Sequence, residues 1–280
     1  MVAGRDMTAS GFAWWAERFE EERDRRHATG DPAWAGGAVL HDAVRASVQR
    51  FQAGEDGDGA HLIAKADAAG DRDYARAVRL FVAEEQNHAR LLARLLDAAG
   101  ATTIDGHWTD RAFVALRRLL GLRLELLVLM VAEEVALRYY GALREGAVDE
   151  LTREVAGRIL ADEQRHVPFH CARLRASLAA LPAPSRRAAT AGWRAAVAGA
   201  AILVAVDHGR ALRVLGVGRA RFVADTVASS RAAASAMLRE PDATDSEADE
   251  GTPKAPASRG PSVVLRNTRL SSPGRAGRRA

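Results

Sequence analysis

The chain has 280 residues, 48% of them hydrophobic and 5% aromatic, which is enough material for one sizeable core. Forty Lys and Arg against 36 Asp and Glu leave a net charge of +4, carried almost wholly by arginine, and that near balance argues against a nucleic-acid partner. One cysteine, Cys171, excludes an intramolecular disulfide framework and any thiolate metal cluster.

From the N-terminus, Met1 to Gly11 shows no basic segment followed by an apolar core, so no secretory signal is expected. Ser10 is placed to cap a first helix over about Gly11 to His27, with Phe12, Trp15 and Phe19 on one face, packing across the outside of the remaining helices. Gly30-Asp31-Pro32 ends it and Gly36-Gly37 marks a second break. The periodicity then predicts a long helix over about Ala38 to Ala69, whose stripe runs Leu40, Val44, Val48, Phe51, Glu55, Leu62 and Ala66. Gly54, Gly57 and Gly59 surround the inward Glu55 and point to a kink, a close approach or a break.

Gly70-Asp71 is a turn into a helix of about Asp71 to Ala99, with Val78, Phe81, Glu85, His88, Leu92, Leu95 and Leu96 on its buried face. After a connection from Ala101 to Thr109, a helix is predicted over about Asp110 to Arg144; stepping by threes and fours joins Glu133 to Leu126, Leu129, Met130, Leu137 and Tyr140. Asp149 begins another, to about Leu181, turning Val155, Ile159, Glu163 and His166 inward, and Pro168 should kink it. Two further helices are expected near Arg186 to Leu215 and Arg219 to Leu238. The apolar run Ala195 to Val206 in the first is too short to span a bilayer, so no membrane is expected and the protein reads as cytoplasmic. Apolar around much of its circumference, that helix should be covered on more than one side or lie at a homodimer interface. The fold class is all-α: residues 1–37 form an N-terminal helix and linker, 38–182 a four-helix bundle, 183–238 two additional C-terminal helices packed on it, and 239–280 a disordered tail.

Within the bundle one pattern occurs twice. Glu55, Glu85 and His88 recur as Glu133, Glu163 and His166, each 78 positions later, and the neighbours echo: Val82-Ala83-Glu84-Glu85-Gln86-Asn87-His88 reads against Leu160-Ala161-Asp162-Glu163-Gln164-Arg165-His166. Residues three apart on a helix share a face, so each Glu-x-x-His pair can converge on one ion. Glu55 and Glu85 each lie fifteen residues from Gly70, so the two sit at similar depth in their hairpin. Burying four carboxylates without compensation costs several kcal/mol per charge, about what two divalent cations would offset. The bland alternative is a helical repeat whose carboxylates pair with arginines; Arg45 and Arg123, also 78 apart, are candidates for such pairing. Tyr140 shares the face of Glu133 and could hydrogen-bond a ligand, relay an electron or simply pack. Glu84, Glu134 and Asp162 should point aside, His170 should pack or support a ligand, and Asp207-His208 could reach the bundle end.

Glu, Glu-x-x-His, Glu, Glu-x-x-His on four helices resembles the ferritin-like di-iron carboxylate proteins, over about Ala38 to Leu181 and all six ligand positions. The resemblance implies that Glu85 with His88 serves one metal and Glu163 with His166 the other. It makes Glu55 and Glu133 the lone carboxylates, and Glu85 and Glu163 the bridges. The cofactor it implies is two iron ions, with manganese or a mixed pair fitting the same donors. The expected activity is an oxidoreductase using O2 or peroxide, an unidentified small-molecule substrate and an external electron donor. Iron oxidation and storage, or rubrerythrin-like peroxide reduction without a rubredoxin module, are the alternatives; a metal-free helical adaptor ranks behind both.

Overall fold

Asp71 and Asp149 fix the two hairpins from which the centre is built. The Asp71 carboxylate accepts from the Tyr74 amide (2.9 Å) and the Asp149 carboxylate from the Thr152 amide (2.8 Å), so each acid satisfies an otherwise unpaired amide at a helix start. The computed structural model describes residues 11–105 and 121–239, and among these every regular element is helical. In chain order they are α1 (Phe12–Thr29), a 3-10 turn (Trp34–Gly36), α2 (Asp42–Glu55), α3 (Ala60–Ala68), α4 (Arg72–Ala98), α5 (Leu122–Gly146), α6 (Glu150–Ala179), α7 (Ala183–Asp207), α8 (Gly209–Val214) and α9 (Arg219–Leu238).

Buried side chains fall into two apolar clusters with a polar layer between them. Trp15, Phe19, Leu62, Val78, Phe81, Met130 and Phe169 belong to the first; Val48, Leu92, Leu95, Tyr139, Leu143, Val155 and Ile159 belong to the second. Each such side chain contributes roughly 1.5–3 kcal/mol by leaving water. Both α4 and α5 run from the first cluster into the second, whereas α6 and the α2–α3 leg run the other way. α4 and α5 are therefore parallel, and the chain between Ala98 and Leu122 connects them. Its residues 106–120, with the expected helix start at Asp110 and Trp108, lie outside the described residues, as do Ser10 and the tail from 240 onward.

The single helix expected over Ala38 to Ala69 is two helices: α2 ends at Glu55 and α3 begins at Ala60. Leu40 precedes α2, and Leu62 and Ala66 continue the stripe on α3. Gly59 lies in the break with φ at 63°, and an added Cβ there would stand 2.4 Å from Val82 Cγ1 on α4, so glycine is required at that point. Gly59→Ala is expected to destabilise the fold by about 1–3 kcal/mol, and Val82→Ala in the same chain should recover much of that loss in thermal unfolding. Equal unfolding temperatures for wild type and Gly59→Ala would show that the close approach does not matter.

Gly11 stands at the N-cap of α1, with no side-chain hydrogen bond. α6 continues through Pro168 to Ala179, giving up only the bond that an amide there would make one turn back. The helix expected over Arg186 to Leu215 is divided at His208, whose buried ring meets Ser47 Oγ through Nδ1 at 2.7 Å. α7 is longer than its apolar run: 25 residues, with an 18-residue window of mean hydropathy 1.6 of which 28% is buried. It is therefore long and apolar enough to cross a membrane by length and composition, contrary to the expectation from the run alone. Trp193, Val197, Ala201 and Ala205 form its inward stripe, while Ile202, Leu203 and Val206 are at least half exposed.

Candidate metal centre

The polar layer collects residues from four helices. Glu55 closes α2, Glu85 and His88 lie on α4, Glu133 on α5, and Glu163 and His166 on α6. They form two groups in which one ligand atom per residue lies within 4.8 Å of every other: Glu55, Glu85, His88 and Glu163, and Glu85, Glu133, Glu163 and His166. All six sequence-selected residues are thus brought together, and Glu85 and Glu163 belong to both groups. Carboxylates can bridge because each has two oxygens. The imidazole of each Glu-x-x-His pair falls in a different group, so each group offers three carboxylates and one nitrogen.

The two histidines enter the layer through Nδ1. His166 Nδ1 lies 3.1 Å from Glu85 Oε1, 3.4 Å from Glu163 Oε2 and 3.6 Å from Glu133 Oε2; His88 Nδ1 lies 3.5 Å from oxygens of both Glu85 and Glu163. Both ring nitrogens, together with Glu85 Oε1, Glu133 Oε2 and Glu163 Oε2, are buried and make no hydrogen bond. Five such atoms facing one another are costly unless something else satisfies them. Carboxylate oxygen and imidazole nitrogen are donors to divalent metal ions, so the residues of each group could hold one.

The opposite face of each ring is held by an acid expected to point aside. Glu84 Oε2 lies 3.0 Å from His166 Nε2, and Asp162 Oδ2 lies 3.1 Å from His88 Nε2. The support is crossed: the acid before the α4 glutamate holds the α6 histidine, and the acid before the α6 glutamate holds the α4 histidine. With Nε2 donating outward, Nδ1 presents its lone pair to the centre. Glu84 and Asp162 are themselves 78 apart, the signal that could have selected them. Glu134 does turn aside, toward Ser229 on α9, where burial pushes its carboxyl up.

Arginines surround this outer pair, though not the two the sequence offered. Arg45 pairs with Asp42 (3.0 Å) and Arg123 donates to Ser177 (2.7 Å), both away from the layer. Instead Arg26 on α1 reaches Glu84 (2.5 Å) and Asp162 (3.5 Å), while Arg165 pairs with Asp162 and stands 3.6 Å from Glu84. The first helix is thus a wall of the centre. Phe19 packs near the His166 ring at 6.2 Å, and Phe81 stands edge-on to His166 and His170, each at 4.7 Å. His170 lies behind the layer, its Nε2 3.8 Å from Glu133 Oε1.

Tyr140 donates its hydroxyl to Glu55 Oε1 at 2.7 Å. Tyr140→Phe should weaken metal binding in the Glu55 group by about tenfold in a chelator competition, leaving the other group unchanged. Equal weakening of both groups would count against that contact. His208 and Asp207 lie away from the layer, beside a cavity of about 190 Å³ lined in part by Ser47, Arg50 and Arg210.

Without cations the layer holds protons. Burial, then the neighbouring Glu85, pushes Glu55 up to about 8; burial, then Glu133, pushes Glu163 well above the ordinary carboxylate range. Burial acts the same way on Glu133, but contact with His166 and Glu163 outweighs it and holds that group at about 2. Burial opposes the charged forms of both histidines, yet Asp162 and the carboxylates around them raise both. Metal loading should therefore release protons, giving calorimetric heats that change with the ionisation enthalpy of the buffer. Buffer-independent heats would contradict this.

Searches against protein-family models and curated proteins each return no match.

Proposed function

We propose that the protein is a ferritin-like di-iron carboxylate oxidoreductase that activates O2 or peroxide. The observation that carries this reading is the pair of four-residue groups sharing Glu85 and Glu163. Parallel α4 and α5, with α6 and the α2–α3 leg antiparallel to them, support the ferritin-like part, because one long crossover is a feature of that bundle.

In this reading Glu55, Glu85, His88 and Glu163 hold one ion and Glu85, Glu133, Glu163 and His166 the other. Two adjacent irons supply electrons for the reduction of O2 or peroxide. The chain's own part is to fix ligand geometry and keep water out. Glu84 and Asp162 orient the imidazoles, Tyr140 holds Glu55, and Phe19, Phe81 and Phe169 close one side with apolar surface. A small-molecule substrate and an external electron donor complete the proposal; a single cysteine cannot build a rubredoxin iron site, so the electrons come from another molecule.

The test is anaerobic loading with Fe(II), elemental analysis, then mixing with O2 while absorption and O2 uptake are followed. Two irons per chain with O2 consumption are expected. Many irons per chain would replace this reading with storage, and no binding of Fe(II) or Mn(II) would overturn it.

A further inference from the structure

The two halves of the repeat differ at one position that matters electrostatically. Arg165 follows Asp162 by three residues and pairs with it, but the counterpart of Arg165 on α4 is Asn87, which accepts from Arg90 at 2.9 Å. Glu84 therefore has no cation of its own helix in the place where Asp162 has one. It is also buried, 0% exposed, where an uncompensated carboxylate is costly. The nearer charge arrives from outside the repeat: Arg26, near the end of α1, lies 2.5 Å from Glu84 Oε1, whereas Arg165, already paired with Asp162, stands 3.6 Å away.

We infer that Arg26 is a positioning residue of the metal centre, supplying from α1 the cation that Asn87 leaves out of the first half, and so holding Glu84 against His166. This rests on the di-metal reading above. Glu84 and Asp162 are matched by Arg26 and Arg165, two charges against two. Glu84 Oε1 is occupied by Arg26 while Oε2 meets His166 Nε2, so the guanidinium fixes the carboxylate in the rotation that orients the ring. α1 is thus part of the site, and its contribution falls mainly on the group of Glu85, Glu133, Glu163 and His166, because Arg26 stands 3.5 Å from Asp162, which keeps Arg165, against 2.5 Å from Glu84.

The experiment measures Co(II) binding to the full chain by visible absorption, in competition with a chelator. Wild type should bind two Co(II). Arg26→Met should keep one ion within about threefold of wild-type affinity and bind the other about 10–100-fold more weakly, the usual effect of removing such a support. Asn87→Arg in the Arg26→Met chain should bring the weak ion back to within about threefold, since it restores the charge from α4 without restoring the α1 contact. That recovery separates positioning from a merely structural role. An Arg26→Met chain that binds both ions normally, or one that Asn87→Arg does not rescue, overturns the inference and leaves the di-metal reading intact. A wild type that binds no Co(II), Fe(II) or Mn(II) overturns both. If Arg26→Met alone does not fold, Glu84→Gln and Glu84→Gln/Arg26→Met decide: equal affinities support action through Glu84, and a further loss in the double variant refutes it.

Discussion

Glu163→Gln and Glu85→Gln are each expected to abolish binding of both metal ions, whereas Glu55→Gln and Glu133→Gln are each expected to leave one. The asymmetry follows from membership: Glu85 and Glu163 are in both four-residue groups, Glu55 and Glu133 in one each. Glutamine keeps the size of the side chain, so packing is conserved while an anionic donor is lost. Removing a shared donor leaves each ion short of one anionic ligand and takes away the link between them. Removing an unshared donor leaves the other group complete. Metal per chain, measured after loading with Fe(II) and desalting, should read near zero, near zero, one and one across the four variants. A graded loss that is the same in all four would show that no carboxylate is shared, and two ions retained in Glu163→Gln would remove the bridging assignment.

Much of this site was legible in the sequence because helical spacing and the 78-residue offset are both strict. An offset shared by Glu55, Glu85 and His88 leaves little freedom in which faces meet, and the pairs do meet. Three things were not legible, each for a physical reason. Which of a kink, a close approach or a break the glycines around Glu55 produce is open in the sequence, because the room for Gly59 beside Val82 is a tertiary relation that no local propensity encodes. Glu84 and Asp162 sit one residue from their helices' inward positions, so single-helix reasoning turns them away. They point inward because each reaches across to the other hairpin, a tertiary relation. Arg26 lies outside the repeat altogether, on a helix whose sequence shows an apolar stripe and charge with nothing to indicate what that charge faces.

The repeat also explains why the fold can carry such a layer. Phe81 precedes and Leu92 follows the α4 ligands; Met130 and Tyr139 flank Glu133; Ile159 and Phe169 flank Glu163 and His166. Two apolar clusters on either side of the polar layer supply burial that offsets the cost of its unpaired buried groups. Stability and metal binding are therefore set against each other in the metal-free chain.

Stripping the metal is accordingly expected to lower the unfolding temperature, and to lower it more at pH 9 than at pH 6. Two ions at about one hundred times their dissociation constants stabilise the native state by roughly 2.7 kcal/mol each. At about 2–4 °C per kcal/mol for a chain of this size, the shift is roughly 10–20 °C. The pH dependence follows from the directions of the shifts. His88 and His166 titrate above the ordinary imidazole value in the fold, so their stabilisation is complete below about pH 6.5 and is lost as pH rises through the folded values. Glu55, raised to about 8 mainly by burial, is penalised progressively from the ordinary carboxylate range up to that value. Both effects weaken the metal-free chain as pH rises. Glu133, held at about 2, and Asp162, also lowered, act oppositely, but their stabilisation is already complete by neutrality and is lost only in acid. Bound cations take the place of the protons on the ligands, so the metal-loaded chain should show a flatter profile between pH 6 and 9. A metal-free chain whose unfolding temperature rises over that interval would contradict the proton-loaded layer, and saturation with Fe(II) that moves the midpoint by less than about 2 °C would contradict tight binding.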